Sequence, residues 1–163
     1  MRNKIFSLIV VFTCFTSFFG FTQTAAKSVY FELGGAGLAT VNYDMRFQKK
    51  NDGFGFKVGI GGFKVDEENA LFVPLGVNYL IGKDERNYFE VGLGVTIVTI
   101  KEIVYNNGTP TNDRFSSTFG HAFFGYRLQP KDGGFLFRAG LTPIFNRDGF
   151  IPYWAGVSFG YKF

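Results

Sequence analysis

The sequence predicts an all-β fold in which eight antiparallel strands close into an up-and-down barrel with apolar side chains on its outer surface. Apolar residues alternate with small or polar ones through most of the chain after residue 26, and a period of two is typical of strands. Aromatic residues make up 20% of the chain, with 23 Phe beside 22 Gly. A soluble domain would have difficulty burying so many rings, whereas a lipid-facing barrel leaves them outside. No segment after residue 26 is long and apolar enough for a membrane helix.

The first 26 residues have the layout of a secretory signal peptide. Residues 1–4 are basic, residues 5–21 are apolar, and residues 22–26 are small and polar, so cleavage is expected near 22–26. A retained membrane anchor is the alternative interpretation of this run. We therefore expect a signal peptide over residues 1–26 and a single barrel domain over residues 27–163.

Charge and cysteine content exclude several classes of function. Of 17 basic residues, Arg2 and Lys4 lie in the leader, which leaves 15 against 13 acidic residues and an excess of +2. Such a small excess does not indicate nucleic-acid binding. The only cysteine, Cys14, also lies in the leader, so the mature chain has no thiol for a disulfide, a thiolate metal site or a nucleophile.

Short charged or glycine-rich breaks divide the mature chain into eight alternating segments. The longest predicted break is 104–113, which contains an Asn-Gly pair and Pro110, and residues 66–69 form a predicted acidic turn. Residues 34–37 reverse the chain if the strand number is even, but they could instead form glycine bulges in one long strand. The predicted strands are 28–33, 38–47, 53–65, 70–82, 87–103, 114–129, 134–146 and 151–163.

The last segment, 151–163, alternates most clearly and ends on the aromatic residues Phe159, Tyr161 and Phe163. This ending resembles the C-terminal strand of small eight-stranded bacterial outer-membrane β-barrel proteins of the porin-like superfamily. The resemblance implies a monomer in the outer membrane of a Gram-negative-type bacterium. It also implies contact with outer-membrane lipid and insertion by the barrel-assembly machinery, with those three aromatic residues as the assembly signal.

The same resemblance assigns the two ends of the barrel. Because strand number is even, both termini should lie on the periplasmic side, together with the breaks near residues 48, 83 and 130. The external loops are then the remaining breaks, and their shortness argues against a large adhesive surface. Aromatic residues near strand ends fit interfacial girdles. These are Tyr79, Tyr153, Tyr161 and Phe163.

Charged residues occupy the face opposite the bulky apolar one. Eight strands enclose an interior that side chains just fill, so these charges must pair or hydrogen-bond. We expect a structural network that plugs the lumen, and a polar track for protons or small ions is the alternative. A soluble lipocalin-like barrel would reverse the faces, but a narrow lumen cannot take the bulkier set. The predicted inward charges are Glu32, Asp44, Arg46, Lys57, Glu90, Arg127 and Arg138.

The sequence offers no recognisable catalytic or metal-binding pattern. His121 is the only histidine, and no serine follows it at the second position, where deacylase-type barrels would place one. Ser117 would share its face but lie roughly 13 Å away. The acidic residues 66–68 could hold calcium at an external loop, but a solvated turn is the preferred interpretation. We therefore expect no catalytic residue, no metal and no cofactor.

Three functions remain open at this point. The first is a structural or envelope-interaction protein with a lumen filled by side chains. The second is a barrel that passes a small solute or ion, against which the narrow eight-stranded lumen argues. The third is a lipid-modifying enzyme of the outer membrane.

Overall fold

The computed structural model describes residues 25–65, 68–106, 109–147 and 149–163. None of these residues belongs to a helix long and apolar enough to cross a membrane. The described chain contains ten strands: β1 (Lys27–Gly34), β2 (Ala39–Arg46), β3 (Gly53–Val65), β4 (Glu68–Ile81), β5 (Asn87–Asn106), β6 (Thr109–Leu128), β7 (Gly134–Leu141), β8 (Ile144–Phe145), β9 (Phe150–Ile151) and β10 (Ala155–Lys162).

Eight of these strands form a closed antiparallel barrel, which confirms the predicted fold class. Strands β1 to β7 pair in chain order, and β10 closes the barrel by pairing with both β7 and β1. Phe159 of β10 thus lies opposite Phe31 on one side and Phe137 on the other. At the end of this seam Phe163 N donates to Lys27 O at 3.0 Å. The short strand β8 pairs with β6, and β9 pairs with β8. Both lie at the end of the barrel away from the Phe163–Lys27 hydrogen bond.

The reversal predicted at 34–37 is a turn and not a bulge. Leu33 and Ala39 lie opposite each other across the antiparallel pair β1–β2. Gly34 and Gly35 have φ angles of 72° and 60°, and Leu38 has a φ of 63°. Glycine adopts this left-handed region without steric cost, so the Gly-Gly pair allows the tight reversal that makes the strand number even.

The long break predicted at 104–113 is wrong. Strand β5 continues to Asn106 and β6 begins at Thr109, with Tyr105 opposite Pro110. Residues 107–108 lie outside the described part of the chain. Pro110 is tolerated because no described strand pairs with the other side of β6 there.

Other strand ends also differ from the predicted ones. In the predicted acidic turn 66–69, Glu68 and Asn69 belong to β4, and residues 66–67 lie outside the described part of the chain. The predicted strand 134–146 stops at Leu141, and the predicted strand 151–163 begins only at Ala155. Each interruption contains a proline, Pro143 or Pro152, which cannot donate to a strand ladder.

The wall of the barrel has an uneven height. Strands β5 and β6 have 20 residues each, whereas β1, β2, β7 and β10 have 8. The β5–β6 hairpin therefore projects from one end, which we call the hairpin mouth. The opposite end, which we call the terminal mouth, carries Lys27, Phe163 and the turns at 47–52, 82–86 and 129–133.

Strict alternation sorts the side chains onto two faces. Along β5, Leu93 and Val95 are 58% and 45% exposed, while Glu90 and Thr96 on the same strand are almost fully buried. The described exterior is a band of exposed apolar and aromatic side chains, and the polar side chains fill the interior. The barrel thus has the reverse polarity of a soluble ligand-binding barrel, with its apolar surface outside.

Candidate functional site

The interior of the barrel holds all seven of the charged residues that the sequence places on the inward face. Their exposed fractions range from 0% for Arg127 to 6% for Lys57. They come from strands β1, β2, β3, β5, β6 and β7, and each lies at an inward position of its strand. The candidate site is therefore a charge network inside the lumen, which we call the lumen network: Glu32, Asp44, Arg46, Lys57, Glu90, Arg127 and Arg138.

Glu90 is a central member of the lumen network. Arg138 donates to it twice, from Nε to Oε2 at 2.8 Å and from Nη2 to Oε1 at 2.9 Å. Arg127 Nη1 lies 3.4 Å from Oε2, and Asn78 Nδ2 donates to Oε1 at 2.9 Å. Residues from β4, β6 and β7 thus meet at one carboxylate of β5.

Asp44 forms a second centre that shares partners with the first. Arg46 Nη2 donates to Asp44 Oδ1 and Oδ2 at 2.7 and 2.9 Å, and Arg127 Nη2 donates to Oδ1 at 3.0 Å. Asn78 Nδ2 donates to Asp44 Oδ2 at 2.7 Å while its Oδ1 accepts from Arg46 at 2.5 Å. Because Arg127 and Asn78 contact both Asp44 and Glu90, the two centres form one continuous network.

Glu32 extends the network toward the hairpin mouth. Its Oε2 accepts from Arg138 Nη1 at 2.7 Å and from Ser158 Oγ at 3.3 Å, and its Oε1 accepts from the backbone of Ala36 at 3.1 Å. Lys57 Nζ lies 3.9 Å from Glu32 Oε2, the longest ion pair among the described residues. Three carboxylates thus face four cations, and Lys57 has the loosest contact.

Aromatic rings complete the packing around the guanidinium groups. The Cζ atom of Arg138 lies 4.3 Å from the ring centre of Phe123 and 4.8 Å from that of Tyr30. Cations over ring faces are attracted by the ring quadrupole. Phe123 is 4% exposed, so it is an aromatic residue on the inward face of β6.

The turn at 35–38 closes the hairpin mouth of the lumen. Ala36 is completely buried, and its carbonyl accepts a hydrogen bond from Thr96 Oγ1 at 2.7 Å. Trp154 Nε1 donates to Gly35 O at 2.7 Å. The turn is therefore folded into the barrel and held there from β5 and from the segment that precedes β10.

The turn at 47–52 closes the terminal mouth in the same way. Gln129 Nε2 donates to Asn51 O at 3.2 Å, and Lys162 Nζ donates to Asn51 Oδ1 at 2.6 Å. Lys162 also donates to the carbonyls of Pro130, at 3.1 Å, and of Lys131. One turn between β2 and β3 is thereby tied to β10 and to the β6–β7 turn on the far side of the opening.

His121 faces the lumen but has no catalytic surroundings in the described residues. Its side chain is 1% exposed, and its Nδ1 lies 3.3 Å from Thr96 Oγ1. Ser116 and Ser117 are exposed on the projecting hairpin, so neither forms a pair with the buried imidazole. No group of three His, Cys, Asp or Glu side chains among the described residues has the geometry to hold a metal.

Sequence reasoning missed the uncharged members of the lumen. Asn78 bridges both acidic centres, while Ser28 Oγ accepts from Arg127 at 2.9 Å and Ser158 contacts Glu32. All three lie at inward positions and are almost fully buried. The signal was available, because a polar residue on the charged face of an alternating segment is inward whether or not it carries charge.

The three aromatic residues predicted to be the assembly signal lie on the outer surface. Phe159, Tyr161 and Phe163 are 47%, 59% and 60% exposed. The ring centre of Phe159 lies 5.4 Å from that of Phe137 and 6.4 Å from that of Phe135. They belong to the outer aromatic surface of the seam, and a role in assembly stays a prediction.

Comparisons with known proteins identify the fold. No protein-family model and no curated protein matches the sequence. Among solved structures, the N-terminal β-barrel domain of Pseudomonas aeruginosa OprF is similar over 86% of this chain and 98% of that chain, with 16% identity and a TM-score of 0.60. The Yersinia pestis outer membrane protein Ail, in a phospholipid bilayer nanodisc, covers 86% and 100%, with 12% identity and a TM-score of 0.51. The chain thus has the fold of small eight-stranded outer-membrane β-barrels.

Proposed function

We propose that this protein is a non-conducting outer-membrane barrel with a structural or envelope-interaction role. The observation that carries the proposal is the filled lumen: a continuous charge network spans it and a folded-in turn closes each mouth. Water or ions would have to break these contacts to pass. Removing a partner from a buried ion pair costs about 3–5 kcal/mol, so spontaneous opening should be rare.

The surface of the barrel supports a location in a membrane. Large apolar residues are exposed around the wall, for example Phe54 at 60% and Leu93 at 58%. Such an area would be unfavourable in water, whereas it suits the hydrocarbon layer around an outer-membrane barrel. Because every strand of the wall has neighbours on both sides over at least part of its length, the backbone polar groups there are satisfied.

The lumen chemistry favours binding and support over catalysis. The carboxylates are held by guanidinium groups and amides, and the imidazole of His121 is buried with no hydrogen bond to an acid or a serine among the described residues. A nucleophile and its base must lie within hydrogen-bond reach of each other. We therefore propose that the protein is not an enzyme.

The projecting β5–β6 hairpin supplies the surface for an interaction role. A strand needs about 9–11 residues to cross a bilayer, and β5 and β6 have 20 each. On the β7 side, β6 pairs only from Gly120 to Leu128 among the described residues. Its remaining edge offers unpaired backbone groups, which suit an added extended segment of a partner protein.

Recording conductance across planar bilayers tests the proposal. The full chain, refolded and inserted, should give no steady channel current, and flotation of the same preparation with vesicles should show that it is inserted. A stable, reproducible conductance from inserted protein would overturn the non-conducting role and favour the small-solute alternative. Fractionation of cell membranes tests the location, since recovery with the inner membrane would contradict it.

A further inference from the structure

A cavity of about 390 Å³ lies at the terminal mouth, outside the lumen network. It is formed where the turns at 47–52, 82–86 and 129–133 meet. These three turns come from separate hairpins, so closure of the barrel is what assembles the cavity. The lumen network and the proposed interaction role do not account for it.

Lysines outnumber carboxylates around the cavity, and three of the four lysines have no described partner. Four lysines line it, against the two carboxylates of Asp52 and Glu85. Lys131 Nζ contacts Glu85 Oε2 at 2.6 Å. No hydrogen bond or ion pair to a described residue occupies the other three lysines, which leaves an excess of positive charge facing the cavity. These three are Lys49, Lys50 and Lys83.

Tyr88 also lines the cavity, and its side chain is only 2% exposed. Its hydroxyl is enclosed by protein atoms, so the donors that a ligand could reach are the lysine ammonium groups.

We propose that this cavity binds a phosphate-bearing anion. Ammonium groups are donors that carry positive charge, so the complementary ligand is one that has several acceptor oxygens and more than one negative charge, as a phosphate group does. The ligand can be the headgroup of an anionic phospholipid at the membrane surface or a soluble phosphoester. The proposal goes beyond the role of the lumen and does not depend on whether the lumen conducts.

Titration calorimetry with inorganic pyrophosphate tests the site on the full chain refolded in zwitterionic detergent. The double variant Lys49→Gln/Lys50→Gln should weaken binding by about tenfold, since it removes two charge-assisted donors. The matched control Lys64→Gln/Lys101→Gln makes the same charge change on exposed lysines of another cavity, near the hairpin mouth. The control should stay within about twofold of the wild type, because screened charges at that distance contribute little.

Lys83→Gln supplies the second variant, since it removes one of the three unpaired ammonium groups from a different turn. Loss of one charge-assisted hydrogen bond should weaken pyrophosphate binding about threefold. A gel-mobility difference between boiled and unboiled samples checks that each variant is folded. Absence of binding by the wild type, an equal loss in both lysine pairs, or unchanged affinity in Lys83→Gln would overturn the proposal.

The source of the ligand is decided in nanodiscs. With phosphatidylcholine alone, pyrophosphate should bind as it does in detergent. If an anionic headgroup is the ligand, adding phosphatidylglycerol should weaken pyrophosphate binding for the wild type by about fivefold through competition. An affinity that is unaffected by phosphatidylglycerol assigns the site to a soluble phosphoester.

Discussion

Arg138 on β7 holds Glu90 on β5 by two hydrogen bonds, although the two strands are not neighbours in the barrel. The same guanidinium donates to Glu32 on β1 at 2.7 Å. Paired hydrogen bonds from arginine to a carboxylate are both strong and orientation-specific. One side chain therefore fixes the positions of three strands across the lumen, in addition to the ladders that join each strand to its neighbours.

Replacing Arg138 should destabilise the barrel strongly. Arg138→Leu leaves Glu90 and Glu32 buried with fewer partners, and breaking a buried pair in this way costs about 3–5 kcal/mol. The free energy of unfolding can be measured by urea denaturation in lipid vesicles. The control is Glu85→Gln, which breaks an exposed pair whose side chains are 58% and 55% exposed and should cost far less, because water screens the pair. Similar losses in the two variants would contradict a structural role for the lumen network.

The turn between β4 and β5 should weaken in acid. The side chain and backbone of Asn87, and then the backbone of Arg86, donate to Asp84 and lower the pKa of its carboxyl below 3.8. A lowered folded-state pKa stabilises the fold above the unfolded value, and this contribution is lost as the pH falls through the folded pKa. Asp84→Asn should therefore lose less stability than the wild type between pH 7 and about pH 3. Equal losses, or an NMR titration of Asp84 at or above its ordinary pKa, would contradict the prediction.

Shortening the projecting hairpin should leave the barrel folded. Residues 100–115 can be replaced by Asn-Gly, which joins the opposed pair Thr99 and Ser116 by a two-residue hairpin turn. The lumen network and both closing turns are untouched, so boiled and unboiled samples should still differ in mobility on a detergent gel. If the full-length protein reverses an envelope defect of a deletion strain, the shortened variant should fail to reverse it. Loss of folding would show that the hairpin is part of the stabilising wall.

Deleting Phe163 should affect assembly more than stability. The residue lies on the outer surface and is 60% exposed, so removing it takes little packing from the refolded barrel. In cells, the deletion should lower the amount inserted and increase periplasmic degradation. The measurements are quantitative blotting of membrane fractions and refolding yield in detergent. Normal insertion in cells would contradict the proposed assembly signal.

Alternation made the two faces of the barrel predictable, because an inward position on a strand depends only on residue parity. The partners inside the lumen were not predictable in this way. Arg127 reaches Asp44 across the barrel, and that contact depends on how the strands are registered around the barrel. Asn78 was missed because only charged residues were considered on the inward face.

Strand ends were the least predictable feature, for two opposite reasons. Turn residues at 104–113 suggested a long break, yet Pro110 lies on a strand edge that has no described partner, and the ladder continues past it. Conversely, alternation continued through Pro143 and Pro152, where the ladder is interrupted. Periodicity indicates which face of the sheet a side chain occupies, whereas strand pairing depends on the backbone donors and acceptors of the neighbouring strand.

The central claim, that the charged face is inside and the apolar face contacts lipid, can be tested with single cysteines at two adjacent positions, since residues 27–163 contain no cysteine of their own. Val95 is 45% exposed and Thr96 is fully buried. In vesicles, Val95→Cys should react with a lipid-soluble maleimide and resist a charged, membrane-impermeant one. Thr96→Cys should react slowly with both, because the lumen is filled. Rapid labelling of Thr96→Cys by the lipid-soluble reagent, together with protection of Val95→Cys, would contradict the assignment of faces and the account built on it.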